Sequence, residues 1–199
     1  MTDILDGIRG IIFDCDGTLT DSMPVHYKSW SKTFADHGIP FDQQRFYALA
    51  GMPSDRIIDL IGSEHGKQLD APVVAREKEE NFLEFLHEVA PVERVVLLAR
   101  EQKSHRKLAV ASGGFRWVIE RQLAHLGFAP EYFDAIVTAE DTERHKPHPD
   151  VFLEAARRLQ LEPSECLVFE DAELGIEAAR RAGMAFVDVR TGDWGSSSI

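Results

Sequence analysis

Five short stretches of this chain are apolar almost without a break: Gly10-Ile11-Ile12-Phe13, Leu108-Ala109-Val110-Ala111, Ala135-Ile136-Val137-Thr138, Leu167-Val168-Phe169 and Ala185-Phe186-Val187-Asp188-Val189. A strand with one face in water alternates apolar and polar residues, whereas one that is apolar throughout must be covered on both faces. Helix-period segments separate the last four. Phe115, Val118, Ile119, Gln122, Leu123 and Leu126 share one helical face, with Gly127 placed to end it. Val151, Phe152, Ala155, Ala156 and Leu159 repeat the pattern after Pro149-Asp150, and Ile176, Ala179 and Arg180 lie in a helix that Gly183 would stop. Strand–helix–strand alternation of this kind predicts an α/β fold with a parallel, doubly covered sheet.

The interval between the first two strands, Cys15 to Lys107, is far longer than the roughly dozen residues that a crossover needs. It contains several helical patterns and no convincing strand. Ser22 and Pro24 open one helix with His26, Trp30 and Phe34 on one face, and Pro53 to Ile61 gives a short second one. A long helix runs from about Val73 to Val89, with Phe82, Phe85, Leu86 and Val89 on its buried stripe. Val92, Val95, Val96 and Ala99 then form the true crossover helix. Residues 20–88 are thus expected to form a helical insertion, a cap domain on a core of residues 1–19 and 89–199. Linkers near Leu19–Ser22 and Val89–Val92 would let the cap open and close. The tail Gly195-Ser196-Ser197-Ser198 reads as frayed.

In an open parallel sheet, ligands bind beyond the carboxyl ends of the strands. The first strand runs into Asp14-Cys15-Asp16-Gly17-Thr18-Leu19-Thr20-Asp21, and the second into Ser112-Gly113-Gly114 just before a helix. The third leads to Glu140-Asp141 and Arg144-His145-Lys146-Pro147, the fourth to Glu170-Asp171. Each piece alone has an ordinary explanation. Asp-x-Asp-Gly also suits a turn or a calcium loop, although the glycine here is fourth rather than sixth. Ser-Gly-Gly suits a turn, and Glu170-Asp171 could merely cap a helix. Placed at successive strand ends, they describe one rim of carboxylates with a hydroxyl and an ammonium, which suits Mg²⁺ and a phosphate group.

With these four motifs in order, the chain resembles the haloacid-dehalogenase-like hydrolase superfamily over essentially its whole length. It is most similar to the subgroup that carries a helical cap between the first two motifs, as β-phosphoglucomutase and small sugar-phosphate phosphatases do. Gly51-Met52-Pro53, Ala75-Arg76-Glu77-Lys78, Gly175-Ile176 and Ala182-Gly183-Met184 add to the likeness. The resemblance implies a Rossmann-like core and an aspartyl-phosphate mechanism. Asp14 would be the nucleophile and Asp16 the acid and base. Mg²⁺ would be held by Asp14, the backbone carbonyl of Asp16, and Asp171, with Glu170 nearby. Lys146 would neutralise the transferring phosphoryl group, Ser112, Gly113 and the following amides would bind it, and Thr18 would order the loop.

Substrate choice would then fall to cap residues, with His26, Arg56 and Lys78 as candidates. Trp30 reads as cap core, and salt bridges of the two cations to Glu77 or Glu80 compete with a binding role. His145 and His148 are read as loop residues rather than metal ligands. Two departures count against a mutase: Gly114 and Phe115 stand where that enzyme grips a phosphate after its serine, and Ser54 where its cap carries an arginine. A phosphatase for a small phosphorylated sugar or polyol is therefore expected ahead of a mutase, and both ahead of an idle scaffold. Composition agrees. With 22 basic and 34 acidic residues the net charge is −12, which disfavours nucleic acid. No apolar run reaches the ~18 residues of a membrane span. Cys15 and Cys166 make no disulfide framework, so a cytoplasmic protein is the expectation, and, with no exposed apolar stripe evident, a monomer.

Overall fold

The computed structural model describes residues 3–49, 52–191 and 194. Gly51 and the tail 195–198, both used above, lie outside the described residues. In chain order the elements are β1 (Gly10–Phe13), β2 (Thr20–Asp21), α1 (Met23–Asp36), α2 (Gln43–Ala48), α3 (Ser54–Glu64), α4 (Ala71–Glu84), β3 (Ala90–Pro91) and α5 (Glu93–Gln102). There follow β4 (Lys107–Ala111), α6 (Arg116–His125), β5 (Ala135–Val137), α7 (Asp150–Leu159), β6 (Cys166–Glu170), α8 (Glu173–Arg181) and β7 (Ala185–Asp188). They fall into two compact units: residues up to Asp21 together with those from Ala90 onward, and Ser22–Val89.

The first unit is built on a parallel five-stranded sheet of order β5-β4-β1-β6-β7. Its strands are apolar on both faces because both faces are packed. Ile11, Phe13, Leu108, Val110, Leu167 and Phe169 point into one core with Val95, Val96 and Ala99 of α5 and Ile119 and Leu123 of α6. The alternate residues Ile12, Ala109, Ala111, Cys166 and Val168 point into a second core with Val151, Phe152 and Ala155 of α7 and Ala178 and Ala179 of α8. Gly127 and Gly183 end α6 and α8 at φ +79° and +72°, the left-handed turn that glycine adopts without a Cβ clash. β1 is central, flanked by β4 on one side and β6 on the other. The chain leaves it toward β4 and returns later to β6, so the strand order reverses beside β1, where such sheets open a crevice.

The second unit is helical, with a core of its own formed by Trp30, Phe34, Ile39, Phe46, Ile58, Ile61 and Val74. Trp30, stacked on Phe34 with ring centroids 5.2 Å apart, is core here. The structure departs from the sequence reading at three places. The interval does contain strand: Thr20 pairs with Pro91 and Asp21 with Ala90, a two-residue antiparallel ladder too short for any period to show. The long helix begins at Ala71, where the Asp70 side chain accepts from the Val73 amide, and stops at Glu84; Leu86–Glu88 is a separate 3₁₀ turn. Helix α2 was not expected. It is six residues long, buries only Phe46, and is started by Asp42 accepting from the Arg45 amide at 2.7 Å.

Candidate active site

The site grows from the end of β1. The Asp14 amide donates to the Phe169 carbonyl at 3.0 Å, so the ladder with β6 continues one residue and fixes the backbone of a buried aspartate. A tight turn follows: the amides of Thr18, Leu19 and Thr20 all donate to the Cys15 carbonyl, and that of Gly17 to Thr20 at 2.7 Å. Gly17 sits at φ +87°, and a Cβ there would lie 2.2 Å from Asp171 Oδ2. Both the turn and the approach of Asp171 therefore require glycine. Thr18 closes the contact by donating to Asp171 Oδ1 at 3.2 Å.

Lys146, on the loop before α7, places its ammonium 2.7 Å from Asp14 Oδ1 and 2.7 Å from Glu170 Oε2. Glu170 ends β6, is 1% exposed, and also accepts from the amides of Asp171 and Ala172 through Oε1. It thus receives helix-start amides and Lys146 together. Gly175 makes room for it, since a Cβ there would lie 2.0 Å from Glu170 Oε2. Carboxylate oxygens of Asp14, Glu170 and Asp171 all lie within 4.8 Å of one another. Burial pushes the Asp14 carboxyl well above its usual range, with Glu170 adding to the shift, Lys146 opposing it and Asp171 adding again. Burial and Glu170 likewise raise Asp171 to about 6. Burial alone would lower the Lys146 pKa, but Asp14 and Glu170 outweigh it and raise it. Three carboxylates face one ammonium, an excess of negative charge among hard oxygen donors.

At the end of β4, Ser112 is buried and its amide donates to the Val137 carbonyl at 3.0 Å. Its Oγ accepts from the Gly114 amide at 3.1 Å. The Arg116 amide, in the first turn of α6, is taken by the Glu140 carboxylate. Glu140 and Asp141, read from sequence only as following the third strand, serve the scaffold. Asp141 accepts from Thr138, Arg116 and Arg158, tying α6 and α7 to the loop that carries Lys146. Those arginines and the Thr138 amide hold its carboxyl below the usual range against the opposing effect of burial.

Asp16 lies outside the carboxylate group above. Its Oδ1 accepts from the Gln122 amide nitrogen at 3.0 Å, and Gln122 Oε1 accepts from the Thr20 hydroxyl at 2.9 Å. The sequence reading placed Gln122 on an apolar helical face without giving it a role. The signal was there: an amide in an apolar stripe needs a buried partner.

Within the second unit, Lys78 is 3% exposed and its ammonium lies 2.8 Å from both His26 Nδ1 and Glu79 Oε1. Its ion-pair partner is Glu79 rather than Glu77 or Glu80. Glu77 meets His37 and Glu80 meets Arg76. His26 stacks on Phe82 at 4.3 Å. Arg56 is exposed on α3 and has no ion-pair partner among the described residues. In the first unit, His145 and His148 are exposed, and Cys15 and Cys166 are buried free thiols. No helix among the described residues is long and apolar enough to cross a membrane.

Residues 11–189 match the family model described as haloacid dehalogenase-like hydrolase. The chain is 41% identical over 181 residues to fructose-1-phosphate phosphatase YqaB of Escherichia coli (strain K12), covering 91% of this chain and 96% of that protein. It is 34% identical to validoxylamine A 7'-phosphate phosphatase of Streptomyces hygroscopicus subsp. limoneus, covering 90% and 84% of the two chains. Among solved structures, β-phosphoglucomutase from Clostridium difficile superposes with a TM-score of 0.77 at 29% identity, over 90% of this chain and 83% of that one.

Proposed function

This chain belongs to the haloacid dehalogenase-like hydrolase family, and from that premise we propose that it hydrolyses a small sugar phosphate through an aspartyl-phosphate on Asp14. The observation that carries the reading is the Lys146 ammonium, 2.7 Å from Asp14 and from Glu170, in a cluster of crowded carboxylates at the sheet's reversal point. One ammonium does not balance three carboxylates. A divalent cation held by Asp14 and Asp171, with Glu170 close by, fits that donor set; the family resemblance adds the Asp16 carbonyl as a ligand, and Mg²⁺ suits such oxygen donors. When bound, it would neutralise phosphoryl oxygens and favour the ionised form of Asp14.

The protein's own groups divide the remaining work. An Asp14 oxygen attacks phosphorus as the bond to the sugar oxygen breaks, and Asp16 delivers a proton to that oxygen. Asp16 then takes a proton from water as the water oxygen attacks phosphorus, which frees inorganic phosphate and restores the Asp14 carboxylate. Lys146 steadies the negative charge on the moving phosphoryl group, and Ser112 with the Gly113 amide binds it at the start of α6. His26 and Lys78, already hydrogen-bonded to each other, are proposed to contribute to sugar selection.

Phosphate release over a panel of sugar monophosphates with Mg²⁺ tests this reading. Release by the wild type that Asp14→Asn abolishes supports it, and release that survives the substitution refutes it. The mutase alternative rests on the likeness to β-phosphoglucomutase. Activity that strictly requires a sugar bisphosphate primer and yields an isomer would favour it.

A further inference from the structure

Gln122 is fully buried on α6, between Val118 and Ile119 on one side and Leu123 on the other. An amide placed there costs stability unless both its ends are hydrogen-bonded. Both are. Nε2 donates to Asp16 Oδ1 at 3.0 Å, and Oε1 accepts from Thr20 Oγ1 at 2.9 Å. With Asp16 in its carboxylate form, which can only accept, Nε2 donates to it and Oε1 faces the Thr20 hydroxyl, whose oxygen also lies 3.0 Å from the Cys15 carbonyl. Thr20 is itself buried, and its amide is bonded to the Cys15 carbonyl within the same turn. Gln122 therefore grips the turn twice, at the carboxylate of Asp16 and at the hydroxyl four residues later, from a helix whose other buried residues are core.

We propose that Gln122 is a positioning residue for the acid–base carboxylate. By holding Oδ1 it fixes the rotation of the Asp16 carboxylate, so that the proton is transferred from one defined direction. The inference rests on the phosphatase reading with Asp16 as acid and base. A carboxylate that lost this hydrogen bond would still be present, but it would spend less time aimed at the leaving oxygen.

The test is Gln122→Leu, an apolar residue of similar size that suits the stripe, compared on two substrates. A sugar phosphate expels an alkoxide and needs the proton, whereas p-nitrophenyl phosphate expels a stable anion and does not. With Mg²⁺ present, Gln122→Leu is expected to slow single-turnover phosphorylation by the sugar phosphate at least about tenfold, a part of the 10²–10⁴-fold that acid–base help supplies. KM and the nitrophenolate burst should stay unchanged. In an Asp16→Asn background the same substitution should have no further effect on the sugar phosphate. Equal losses on both substrates, no loss on either, or a full additional loss in the Asp16→Asn background would overturn the proposal. The parent reading fails separately: Asp16→Asn alone would then slow both substrates alike.

Discussion

The two units each set a lysine against carboxylates, and the two clusters are built differently. In the first unit Lys146 meets Asp14 and Glu170, which come from the ends of two different strands, and Asp171 adds a third negative charge. In the second, Lys78 meets its sequence neighbour Glu79, one charge for one, with the rings of Trp30 and Phe82 each 5.6 Å away. A balanced pair neutralises its charge within the fold, here with Glu79 Oε2 left buried and without a hydrogen-bond partner among the described residues. An unbalanced cluster is costly until a cation enters, which is what the proposed function asks of it.

Substituting each lysine tests the contrast. Lys146→Met should lower the rate of phosphate release about 10²–10³-fold, the typical loss of one charge-stabilising group. Lys78→Met should act on stability as well as on sugar selection. It leaves Glu79 buried without its cation, at a cost of about 3–5 kcal/mol in chemical denaturation. Replacing both partners, Lys78→Met with Glu79→Leu, should recover most of that loss. If the double variant is no more stable than the single one, the pair is not the self-contained unit described.

Asp171→Asn sharpens the other side. Removing one of the crowded carboxylates should raise the melting temperature in the presence of a chelator and abolish the rise that Mg²⁺ gives the wild type. The pH dependence has a definite sign. The folded carboxyl titrates at about 6 and the unfolded one near 3.8, so the folded state binds more protons between those values. The chelated wild type should therefore gain stability as pH falls from 7 toward 4, and Asp171→Asn should lose part of that gain. A flat profile in the wild type would argue against the crowding.

The smallest effect expected is at Glu154, which Arg157 and Arg158 hold at about 2. Its contribution is present above pH 4.5 and is lost as pH falls toward 2. Partial exposure limits it to about 0.2–1 kcal/mol. Glu154→Gln should flatten acid unfolding in that window, lower neutral stability by that same small amount, and leave stability near pH 2 unchanged.

What the sequence made legible follows from what packing imposes on it. Strands covered on both faces are apolar at every position, so β1, β4, β5, β6 and β7 stood out within a residue or two of their bounds. The carboxylates, Ser112 and Lys146 were legible because strand ends converge in such sheets. Elements too short to show a period were missed, among them α2 and the β2–β3 ladder. Pairings that depend on tertiary approach were hidden too. Gln122 reaches Asp16 across 106 positions, and Lys78 chose a neighbour that helical spacing does not favour.

The most direct measurement is mass spectrometry of the protein quenched with acid during turnover of a sugar phosphate. A single phosphoryl adduct on the peptide bearing Asp14, present in the wild type and absent in Asp14→Asn, is the predicted result. Turnover with no such adduct, or an adduct that persists in Asp14→Asn, would contradict the account.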